Sequence, residues 1–163
     1  MREMLKILKT TLCAVAAAAL LGGCADDLLP DEGGGNFVGT WNGTVWTGQA
    51  YAVLRNDSLT VVGHRADPQH AYDEYVQARV RFTGPDTYTF AESDGQLAQV
   101  VGGDAGTFPP AAGTLVIRDY NASAHTISGD ITLHAGSVQP AWDVSGTFQA
   151  YVYASFTEVP TTR

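Results

Sequence analysis

The sequence predicts an all-β domain, a single antiparallel β-sandwich or meander barrel of about 7–9 strands. Three observations carry that reading. From residue 37 onward apolar residues recur at every second position, and no stretch repeats at the helical period. Valine, threonine, tyrosine and tryptophan dominate there, the residues that suit a pleated, half-buried surface. Turn residues such as Asn56-Asp57, Gly84-Pro85-Asp86 and Asn121-Ala122-Ser123 separate the alternating runs at short spacing. Residues 37–158 are read as one domain, long enough to bury a core of its own. Residues 159–163 form a short C-terminal tail.

A leader precedes that domain. Met1 to Lys9 is basic, with Arg2, Lys6 and Lys9 against Glu3, and Thr10 to Leu21 is an apolar run rich in alanine. Gly22-Gly23 then supplies small residues, and the three parts in that order make residues 1–23 a secretory signal peptide. A membrane-spanning helix needs about 20 apolar residues, more than Thr10 to Leu21 provides. The stretch Leu20-Leu21-Gly22-Gly23-Cys24 resembles the lipobox of bacterial lipoproteins. That resemblance implies peptidase recognition through Leu21, Gly22 and Gly23, cleavage before Cys24, and a lipid on the Cys24 sulfur. It also implies a fatty acyl group on the new amino terminus, and anchoring by several chains is durable where one is marginal. Ala25, not aspartate, follows the cysteine. In the sorting rule of some Gram-negative bacteria this favours the outer membrane. The expected address is the cell envelope, the expected partner a membrane held through the lipid on Cys24.

Cleavage would change both the cysteine count and the charge. The chain has two cysteines, and Cys13 lies within the apolar run that would be discarded. With the Cys24 sulfur taken by lipid, no disulfide is possible, and stability must come from packing. Of nine Lys and Arg, three precede Cys24, and of seventeen Asp and Glu only Glu3 does. The remainder carries six arginines and no lysine against sixteen acids, a net charge of −10. Such a chain repels phosphate backbones, so nucleic acid is excluded as an expected partner. A protein or small-molecule partner is left open.

Residues 24–36 read as a spacer, with four acids, three consecutive glycines and little apolar content beyond Leu28-Leu29. The strands follow. Thr44 to Leu54 is two-sided, with Trp46 on one face and Tyr51 on the other, and Asn56-Asp57 turns it into Ser58 to His64, where Leu59 and Val61 share a face. From Tyr75 to Phe82, Val76, Ala78, Val80 and Phe82 alternate with Gln77, Arg79 and Arg81. Thr87 to Ala91 brings Tyr88 and Phe90 to one side, and a short strand is read at Leu97 to Val101. Thr114 to Tyr120 carries Leu115 and Ile117. Thr126 to His134 alternates Ile127, Gly129, Ile131 and Leu133 with polar residues. The longest run, Ala141 to Thr157, puts Trp142, Val144, Gly146, Phe148, Ala150, Val152 and Phe156 on one face, with a bend or bulge expected at Gly146. Arg65 to Asp73 and Asp94 to Gly113 are the two long connections, and the second exceeds the usual length of an inert loop.

With these elements in order, the chain resembles a group of small lipoproteins of the Bacteroidetes and related bacteria whose single β domain has no known function. The likeness rests on Trp41-Asn42-Gly43-Thr44-Val45-Trp46 at the opening of the domain. At its close it rests on Thr126-Ile127-Ser128-Gly129-Asp130-Ile131 and Val144-Ser145-Gly146-Thr147-Phe148. It implies an all-β fold and lends no catalytic residue.

Candidate chemistry is sparse. His64, Asp67 and His70, in the polar connection His64 to Glu74, are ligand types that zinc accepts. Their spacing matches no defined motif, and an exposed polar loop is the plainer reading. His125 and His134 flank one strand about 30 Å apart along an extended chain and cannot share a ligand. No serine stands in a Gly-x-Ser-x-Gly frame, and Gly102-Gly103-Asp104-Ala105-Gly106 leads into no helix that could cradle a phosphate. No cofactor is expected. Trp41, Trp46, Trp142, Tyr51, Tyr151 and Tyr153 occupy both faces of their strands, and cross-strand packing is favoured for them over a ligand groove. The sequence thus points to a lipid-anchored, non-enzymatic binding or structural module. The alternatives are a small-ligand carrier with a calycin-like barrel and, behind it, a metal-dependent hydrolase on His64, Asp67 and His70.

Overall fold

The computed structural model describes residues 35–65, 74–98 and 109–160. The signal peptide, Cys24 and residues 25–34 of the spacer lie outside them, as do Asp67, His70 and Gly102 to Gly106. Eight strands follow one another: β1 (Gly35–Trp41), β2 (Thr44–Arg55), β3 (Ser58–Arg65), β4 (Glu74–Arg81), β5 (Thr87–Ala98), β6 (Pro110–Asn121), β7 (Thr126–Ala135) and β8 (Trp142–Tyr153). Each pairs antiparallel with the next, and β1 also pairs with β8, so one sheet closes in a ring. Beyond the start of β1, β8 meets β2 directly, and Tyr51, Ala52 and Val53 run parallel beside Tyr151, Val152 and Tyr153. Among the described residues no helix is long and apolar enough to cross a membrane.

Turn chemistry sets the register of the first hairpins. Asn42 and Gly43 have φ of 48° and 78°, and Asn56 and Asp57 have φ of 50° and 63°. Two successive residues in the left-handed region make the tight turn whose twist matches paired strands, and Asn, Asp and Gly tolerate it best. The first turn joins β1 to β2. It thereby makes a strand of Gly35 to Trp41, a segment the sequence reading left without one, and it takes Gly35 and Asn36 from the spacer into the sheet.

One buried cluster fills the interior, and every strand contributes to it, among others through Phe37, Trp46, Leu59, Val76, Phe90, Leu115, Ile131 and Phe148. The inward parity is the one the alternation predicted for β3, β4, β7 and β8, and on the two-sided β2 it is the Trp46 face that turns inward. The bends fall elsewhere than expected. Gly146 keeps unbroken register with β7, and the register shifts lie at Phe90/Gly95 between β5 and β6 and at Ile117/Asp119 between β6 and β7. At the second shift Arg118 and Asp119 are both exposed, so the inward face passes from Ile117 to Tyr120. β8 stops at Tyr153, and Phe156 enters a 3₁₀ turn (Phe156–Glu158) with 54% of its surface exposed, so it leaves the inward row.

The two ends of the ring differ. At the hairpin end, Phe82 packs on Tyr120 at 5.1 Å and on Tyr88 at 6.4 Å, and the Tyr88 hydroxyl donates to the Gly84 carbonyl. At the opposite end lie Trp41, Trp142 and the facing termini of β3 and β4.

Candidate functional site

A carboxylate is buried at that second end. Arg65 and Glu74 are register partners on β3 and β4 and both point inward, as does Trp46 on β2. Glu74 Oε2 accepts the Trp46 Nε1–H at 2.7 Å and the Arg65 Nε–H at 2.6 Å, and it also pairs with Arg65 Nη2. The Arg65 guanidinium lies 5.7 Å from the centre of the Trp46 ring. The Glu74 side chain is 5% exposed and that of Arg65 36%. A buried carboxylate needs such partners. Its plain role is to hold the two ends of the 66–73 connection together.

Tryptophans surround it. The Trp41 ring lies 6.2 Å from Trp46 and 5.6 Å from Trp142. Trp41 is 6% exposed, and its Nε1–H has no acceptor among the described residues. Tyr51 stands on the outer face, beside its parallel partner Tyr151 and edge-on to Phe156 at 6.4 Å. Burial, and secondarily the Tyr75 phenol, push the Tyr51 hydroxyl above its ordinary pKa of 10.0.

Of the residues singled out from sequence, those among the described residues are not brought into one site. His64 points outward and stacks on Tyr75, 4.8 Å between ring centres, while Asp67 and His70 fall outside the described residues. Among the described residues no three His, Cys, Asp or Glu side chains are placed to hold a metal ion. His125 sits in the β6–β7 turn with φ 54°, and its carbonyl accepts the Val152 N–H at 2.8 Å. His134 Nδ1 meets Asp143 Oδ1 at 2.7 Å on the solvent face. Leu21, Gly22, Gly23 and Cys24 lie outside the described residues.

Sequence reasoning missed a cationic patch on the outer face of β2, β3 and β4. Register places Arg55 opposite Ser58 and Ser58 opposite Arg81, with Val53, Thr60 and Arg79 as the next row. All six share the outward parity, yet Val53 and Thr60 are buried. A groove of about 350 Å³ opens over these rows, closed on one side by Ser155 and Phe156. A second, of about 570 Å³, adjoins it and shares Arg79, with Arg81, Tyr88, Asp57 and Asp94 in its wall. The signal was present in the equal parity of Arg79 and Arg81 and in the Asn56-Asp57 turn that sets Arg55 beside them. Only the three-strand register shows that they converge. Compared with protein-family models, with curated proteins and with solved structures, the chain finds no match.

Proposed function

We propose that the chain is a lipid-anchored module of the cell envelope, held through Cys24 in the outer membrane, that binds by its outer surface and catalyses no reaction. One observation carries the surface part of this reading. The interior of the described sheet holds a cluster of its own side chains and its inward carboxylate is matched by Arg65, whereas the smaller groove opens on the outer face. The lipobox supports the anchor. Replacing Cys24 by serine tests it: fatty-acid labelling is expected to vanish and the precursor to accumulate unprocessed, and labelling that persists in Cys24→Ser overturns the anchor.

A second reading, the small-ligand carrier, draws on the Trp41 Nε1–H, which has no acceptor among the described residues, and on its aromatic neighbours. A ligand oxygen there would satisfy a donor that otherwise costs about 1–3 kcal/mol to bury unpaired. The neutral probe N-phenyl-1-naphthylamine separates the two. Saturable binding that Trp41→Phe weakens supports the carrier, and the absence of saturable binding supports the surface module.

A further inference from the structure

The charge of this chain is unevenly placed. Sixteen acids follow the cleavage point, yet Arg55, Arg79 and Arg81 form no ion pair among the described residues, while Arg65 is matched to Glu74 and Arg118 to Asp130. The three unmatched arginines stand within two rows of adjacent strands. Strand spacing puts Arg55 and Arg81 about 10 Å apart, with Arg79 about 7 Å from Arg81 on the same face. Like charges at such separations oppose the pairing that holds them together. An anion between them relieves that, and a guanidinium fork is shaped to hold a phosphate or carboxylate by two hydrogen bonds.

The smaller groove has the composition such a ligand needs. Arg55 and Arg79 line it with the hydroxyl residues Ser58 and Thr60, and no carboxylate stands among its lining residues. The larger groove is different, because Asp57 and Asp94 there offset Arg79 and Arg81. Val53 and the exposed ring of Phe156 give the smaller groove an apolar wall beside its cations. Its volume, about 350 Å³, is at the low end of the range for small-molecule sites. The overall negative charge acts against an anion from a distance. It is screened beyond about 10 Å at moderate salt, so the local arginines dominate at contact.

We infer that the Arg55–Arg79 groove binds a small soluble anion that carries a ring or short hydrocarbon group, its phosphate, sulfate or carboxylate on the arginines and its apolar part on Phe156. This names a ligand class for the proposed binding module. It rests on that reading for its biological sense but not on the lipid anchor, since the groove lies wholly among the described residues.

The test is calorimetric titration of the full chain, in a neutral detergent at about 0.1 M salt, with phenyl phosphate and separately with inorganic phosphate. Saturable binding of phenyl phosphate is expected. Arg79→Gln and Arg55→Gln should each weaken it at least tenfold without lowering the melting temperature. Arg118→Gln should leave it unchanged, and Phe156→Ala should reduce the affinity for phenyl phosphate to that for inorganic phosphate. No saturable binding, or equal affinity in Arg79→Gln and the parent, overturns the assignment. So does a third result: phenyl phosphate fails to bind, while Arg79→Gln reduces attachment to phosphatidylglycerol vesicles and not to phosphatidylcholine ones. The occupant would then be a lipid headgroup. None of these outcomes depends on whether Cys24→Ser loses its label, so the two readings fail separately.

Discussion

Phe37 lies between two glycines. A Cβ on Gly63 would come within 3.0 Å of its ring and one on Gly146 within 2.6 Å, so β3 and β8 leave room at those positions for a ring from β1. Phe148, its register partner on β8, is 2% exposed, while neighbouring Thr147 faces solvent. Removing a buried aromatic costs about 3–5 kcal/mol, against perhaps 5–15 kcal/mol for a whole domain. Phe148→Ala should therefore leave the domain marginal, and Thr147→Ala should change its stability by under about 1 kcal/mol. Urea melts of the two Cys24→Ser chains check this, and equal midpoints would overturn the face assignment of β8. Glu74 makes a second residue-scale case. Arg65→Met strands a buried carboxylate and should cost about 3 kcal/mol. Adding Glu74→Gln should recover part of that loss, because the amide needs no cation. If the double variant melts no higher than Arg65→Met alone, the ion pair is not what Arg65 supplies.

At the scale of elements, alternation was readable wherever a strand is straight and one face meets the core. β4 and β7 came out almost residue for residue, because Val76, Ala78 and Val80, and Ile127, Ile131 and Leu133, are apolar against polar neighbours. β1 was illegible for the opposite reason. Its seven residues include two glycines and the exposed Val38, and its register comes from both neighbours at once. The bulges in β5 and β6 escaped because a parity change looks like the end of a strand when no partner is in view. The groove was illegible too, since Arg55 on β2 and Arg79 and Arg81 on β4 meet only across the intervening β3. The boundary of β1 yields a test. Deleting residues 26–33, which the composition marks as spacer, should shift the melting temperature of the Cys24→Ser chain by no more than a degree or two. Deleting Gly35 to Phe37 should lower it by many degrees, since β1 bridges β2 and β8 there. A large fall from the first deletion would place the acidic segment within the fold.

On the scale of the whole molecule, closure takes the place of the staples on which many small domains rely. No cysteine occurs after Cys24, so no covalent link within the domain holds the first strand to the last, and a ring leaves no long bare edge to protect. That closure joins Thr40 to Ser145, 105 positions apart in the chain, whereas the β2–β3 and β7–β8 hairpins pair residues close in sequence. Local pairs form early, and distant ones wait on loop closure. During synthesis β1 appears first and β8 last, so one side of the earliest strand stays unpaired until nearly the whole domain has been made. In that interval the same hydrogen-bonding groups could accept a strand from another copy. The chain's exposure to aggregation is concentrated in the time between its first strand and its last.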